Sequence, residues 1–84
     1  MDAFQLVEIG RQKKGFDGLL DKLSEIVKVG KKHDCLPSTV EFALRKVAGE
    51  QPNATLKKVN LAVAAFVRRY EDEYTKKHKI AGNI

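Results

Sequence analysis

Residues 55–79 read TLKKVNLAVAAFVRRYEDEYTKKHK. Leu56, Val59, Val63, Phe66, Val67, Tyr70 and Tyr74 recur at helical intervals, and at about 100° per residue they share an arc of roughly 100°, the width of a stripe that faces a core. No Gly or Pro interrupts the pattern before Gly82. The stretch therefore predicts one long helix over 55–79, about 37 Å from end to end. Asn53 or Thr55 is placed to cap it, and residues 50–53, with Pro52, read as the turn that precedes it.

Working outward, Val40, Ala43, Leu44, Val47 and Ala48 form a second stripe with Phe42 to one side. Ser38 and Glu41 have the spacing of a capping box at its start, and Gly49 is a natural terminator. This predicts a helix over 38–49. Upstream, Phe16, Leu19, Leu20, Leu23, Ile26 and Val27 step by three, one, three, three and one, and Lys28, Lys31, Lys32 and His33 follow where cations complement a helix dipole. A helix over 16–32 results, about 25 Å long, so the last two or three turns of the 55–79 helix should overhang its shorter neighbours. Near the N-terminus, Asp2 and Gln5 form a capping pair ahead of Phe4, Leu6, Val7 and Ile9, whose weak periodicity fits a short helix over 3–10 lying across the others and covering part of the long helix. Residues 10–15 are then a basic connector. The expected fold is all-α: one domain over 1–84, a small helical bundle of three main helices plus a short N-terminal one.

The chain has 84 residues, of which 43% are hydrophobic and 32% charged, enough for one modest core. Cys35 is the only cysteine, so an intrachain disulfide is excluded and a cysteine-based zinc site lacks ligands. No window approaches the ~18 apolar residues that span a bilayer, and the first residues carry no basic-then-apolar leader pattern, so the expectation is a cytoplasmic protein with no membrane partner. Asn53-Ala54-Thr55 matches a glycosylation acceptor, a tripeptide common by chance.

The net charge is +5, and it is unevenly placed. Residues 1–42 hold seven basic and seven acidic side chains, whereas residues 43–84 hold nine basic and four acidic. On the long helix, eleven residues make about three turns plus 20°, so Lys57 nearly eclipses Arg68 and Lys58 nearly eclipses Arg69. These four, with Lys76 and Lys79, fall away from the apolar stripe, with Leu61, Ala62, Ala64 and Ala65 between them. A ridge of this kind suits a phosphate backbone or an acidic protein surface. Glu71, Asp72 and Glu73 interrupt it, and a solvated outer helix face is the plainer account of the same pattern. Base-specific readout has little support. The 38–49 helix, its turn and the long helix imitate a helix-turn-helix, but the turn, residues 49–53, is longer than the usual three or four residues. Both tyrosines lie on the apolar stripe, which leaves nothing on the ridge to stack single-stranded bases.

Catalytic chemistry is hard to assemble. His33 and Cys35 are close in sequence but have no third orienting group, and His78 is remote. The glycines at 15 and 18 lack the Lys-Ser/Thr ending of a phosphate loop. No carboxylate pair sits in an apolar run that would separate two pKa values. The expectation is no enzyme, no metal, no cofactor and no small-molecule substrate, but a small nucleic-acid-binding or regulatory accessory protein acting through Lys57, Lys58, Arg68, Arg69, Lys76 and Lys79. The alternative is a protein-interaction module, such as an inhibitor, adaptor or assembly subunit. It would use Tyr70 and Tyr74, which are core residues by default but form a dimer or partner surface if the overhang leaves them bare.

Overall fold

The structure, a computed structural model, describes residues 1–12, 18–50 and 56–78. It contains four helices, α1 (Ala3–Gln12), α2 (Leu19–Lys32), α3 (Pro37–Gly49) and α4 (Leu56–Lys77), and no strand among the described residues. The chain is all-α, as the spacing of its apolar residues implies.

The starts of α1, α2 and α3 each have a local cause. The Asp2 N–H donates to Gln5 Oε1 and the Gln5 N–H donates to Asp2 Oδ1, both at 2.8 Å, so the first capping pair forms as read. The second does not. Leu36 is extended (φ −62°, ψ 146°), Pro37 is the first residue of α3, and no side chain caps the helix. A proline fixes its own φ near the helical value and forces the preceding residue out of the helical region, so it sets the boundary one residue early. Ser38 is thereby drawn inside the helix, and Glu41 instead accepts a 2.9 Å bond from Arg45 Nε. Helix α2 starts at Leu19, after Gly18, whose φ of +60° and ψ of −111° are not helical and suit glycine. The start expected at Phe16, the Pro52 turn and the Asn53 or Thr55 cap lie outside the described residues.

Helix α2 ends in a Schellman arrangement. The Cys35 N–H returns to Gly30 O at 2.9 Å, the Asp34 N–H returns to Lys31 O at 3.2 Å, and Asp34 takes the left-handed position with φ +55°. Glycine usually occupies that site, so an aspartate there is conformationally costly and its side chain has work elsewhere.

Helices α2 and α3 pack on each other, and both contact α1 and α4. No Cα of α1 lies within 8 Å of a Cα of α4. This corrects the expectation that the N-terminal helix covers the long one: α1 lies on the α2/α3 pair, on the far side from α4. The core comprises Leu6 and Val7 of α1, Leu23 and Ile26 of α2, Val40, Ala43, Leu44, Val47 and Ala48 of α3, and Val59, Val63, Val67 and Tyr70 of α4, with Cys35 from the turn. Leu20, read as part of the α2 stripe, is exposed. Two glycines mark the closest crossings. A Cβ on Gly10 would stand 2.6 Å from Ile26 Cδ1, and one on Gly30 would stand 2.8 Å from Val40 Cγ2.

The overhang is also corrected. The C-terminal turns of α4 lie against the end of α2 and the turn after it. Tyr70 is only 4% exposed, and its hydroxyl donates toward Gly30 O at 3.2 Å and Cys35 O. Tyr74 is half-buried, stacking on Tyr70 at 6.2 Å and on His78 at 4.1 Å between ring centroids. Within the chain, the cover over Tyr70 is thus the α2 C-terminus and the turn after it rather than a folded-back N-terminal segment.

Candidate nucleic-acid interface

Because Val59, Val63, Val67 and Tyr70 point into the molecule, the opposite side of α4 faces water. Lys57, Lys58, Arg68, Arg69 and Lys76 are all exposed there on one unbroken helix. Lys79 lies outside the described residues. Among the described residues, Lys57, Lys58, Arg68 and Lys76 form no ion pair. Arg69 Nε approaches Glu73 Oε1 at 3.4 Å with its side chain 84% exposed. At that length and exposure the pair contributes little, and the guanidinium remains free to turn to another anion.

The cations on the inner edge behave differently. Asp34 accepts from His78 Nε2 at 3.0 Å and pairs with Lys77 Nζ at 3.3 Å, while Lys31 pairs with Glu73. The bond from His78, followed by that from Lys77, holds the Asp34 carboxyl below its ordinary pKa, and the bond from Lys31 does the same for Glu73. These pairs fasten α4 to the end of α2. They explain why Asp34 occupies a position that glycine would fill with less strain. Lys31, Asp34, Tyr70, Glu73, Tyr74 and Lys77 line a cleft of about 110 Å³ there, well below the several hundred Å³ of a small-molecule site, and four of its walls are already paired with one another.

The sequence separated these two sets of cations only in part. Lys77 follows Lys76 directly, yet Lys77 pairs with Asp34 while Lys76 has no ion-pair partner among the described residues, because one residue is about 100° of rotation. Leu61, placed between the cations by the sequence, is 63% exposed at the centre of the outer face. Ala62 packs against the core edge instead of lying between the cations.

A second exposed feature lies away from α4. The Phe4 and Phe42 rings meet edge to face at 5.9 Å between α1 and α3, with Phe4 71% exposed. Tyr70, being buried, offers no surface. Among the described residues no three His, Cys, Asp or Glu side chains gather as a metal site, and no helix is long and apolar enough to cross a membrane. No family model, curated protein or solved structure matches the chain, so its function has to be argued from this geometry alone.

Proposed function

We propose that this protein is a small non-enzymatic nucleic-acid-binding accessory factor that uses the outer face of α4. The observation that carries the proposal is the division of labour among its cations. Those on the inner edge are consumed by Asp34 and Glu73, whereas Lys57, Lys58, Arg68 and Lys76 are exposed without ion-pair partners among the described residues. A fold needs some surface charge for solubility, but four unpaired cations on one rod form a local positive field that attracts a polyanion.

Charge reversal tests it. The double substitution Arg68→Glu/Arg69→Glu should weaken binding to labelled nucleic acid by at least ~10-fold in fluorescence anisotropy at 100 mM salt, with an unchanged circular dichroism spectrum since both side chains are exposed. Unchanged affinity would overturn the assignment. The second reading, a protein-interaction module, is favoured by the Phe4–Phe42 surface. A partner whose binding barely responds to salt and is lost with Phe4→Ser would move the role to that side.

A further inference from the structure

The distribution of the α4 cations deepens this reading and rests on it: we infer that the stretch of α4 from Lys57 to Arg69 seats in the major groove of B-form DNA, contacting both phosphate backbones without reading bases. Four of the exposed cations, Lys57, Lys58, Arg68 and the weakly paired Arg69, form two rows rather than one line. Lys57 and Arg68 lie about 20° apart around the helix axis, Lys58 and Arg69 likewise, and the two rows are separated by about 100°. Midway between them run Leu61 and Ala65. Leu61 is exposed and Ala65 is small, so the strip between the rows is apolar and low.

A single phosphate strand presents one line of charge and would use one row at a time. Two rows flanking a depressed apolar strip suit two walls of charge with a floor between them. Across the helix, the charged tips of the two rows stand about 8 to 13 Å apart depending on side-chain extension, which matches a major groove about 12 Å wide and exceeds a minor groove of about 6 Å. Along the axis, eleven residues span about 16.5 Å, close to five base-pair steps at 3.4 Å.

The remaining residues limit the seat. Asp72 falls on the same midline as Leu61 and Ala65, where its negative charge would stand between the two phosphate walls, so contact ends near Arg69. Among the described residues no exposed aromatic stands on this face: Tyr70 is buried, and Phe4 belongs to α1, on the other side of the α2/α3 pair. Stacking on unpaired bases is therefore not provided for. Leu61 and Ala65 have no polar atoms to distinguish base edges and offer only apolar contact, as with thymine methyl groups. The major groove of A-form RNA is too narrow and deep to admit a helix, so the same geometry separates DNA from RNA duplexes.

The full chain is titrated against 20-base-pair DNA of mixed sequence, the same sequence as duplex RNA, the single DNA strand, and polyglutamate, by anisotropy across 50–300 mM salt. Duplex DNA should bind at least ~10-fold more tightly than the other three, with a log–log salt slope near −3.6 for four phosphates. Lys57→Ala/Arg68→Ala and Lys58→Ala/Arg69→Ala should each lower that slope by about 1.8, because each row holds one wall. Asp72→Asn should tighten duplex binding about 2- to 3-fold by removing the charge that ends the seat. Equal affinity for duplex and single strand, or a slope that depends on one row only, overturns the groove seat while leaving the basic face as a nucleic-acid site. Binding to polyglutamate alone, or to none of the four, overturns both.

Discussion

Tyr70 shows how one side chain fastens three segments. Its ring belongs to the α4 core stripe, and its hydroxyl serves the carbonyls of Gly30 and Cys35 at the end of α2. Gly30 O also receives the Cys35 N–H, so Tyr70→Phe leaves the Cys35 carbonyl as the main loser, and the substitution should cost about 1 to 2 kcal/mol in urea unfolding. Burial, and after it the negative charge that Cys35 and Asp34 can carry nearby, pushes the Tyr70 phenol up to about 12. The unfolded phenol ionises near 10, so the native state holds the proton more tightly, and stability should fall as pH rises from about 10 to 12. Unfolding midpoints at pH 8 and 11.5 check this: the Tyr70→Phe variant should lose less over that interval than the parent.

At the scale of elements, the helix starts separate real caps from apparent ones. Asp2→Ala breaks a formed reciprocal pair and should cost about 1 kcal/mol, whereas Ser38→Ala should change stability by less than about 0.5 kcal/mol despite the capping-box pattern. Placing an acceptor at the true boundary, with Leu36→Asp, should stabilise by about 0.5 to 1 kcal/mol, since Leu36 is exposed and offers no acceptor there. Thermal unfolding of the three variants side by side is sufficient. The α3 stripe was legible in full, because Val40, Ala43, Leu44, Val47 and Ala48 are all buried. The start of α3 was misjudged because a proline's steric demand outranked a side-chain hydrogen bond in setting the boundary.

For the whole molecule, ion pairs join elements distant in sequence. Arg11 Nε of α1 donates to Glu50 Oε1 at 3.0 Å beyond α3, and Asp34 and Glu73 join α4 to α2 and its turn. The Arg11 bond lowers the Glu50 pKa, as His78 lowers that of Asp34 and Lys31 that of Glu73. A carboxyl whose native pKa is depressed stabilises the fold above its unfolded pKa and loses that contribution as pH falls through the native value. Stability should therefore hold from neutral pH to about pH 5 and decline progressively below about pH 4. Asp34→Asn should lower the melting temperature at pH 7, and its difference from the parent should be smaller at pH 2.5, because the depressed carboxyl loses its contribution as pH falls. A constant offset at both pH values would mean that the left-handed backbone position, not the charge, decides the effect.

Hydrophobic spacing by itself determined the helical class, the membership of the α3 and α4 stripes, and the side of α4 on which Lys57, Lys58, Arg68 and Arg69 stand, because each follows from the rotation per residue within one helix. Only the tertiary structure decided where α1 lies, that Tyr70 is inside, and which cations are consumed by Asp34 and Glu73. Those outcomes depend on which helix ends meet in space, and a one-dimensional period carries no information about distances between segments forty residues apart.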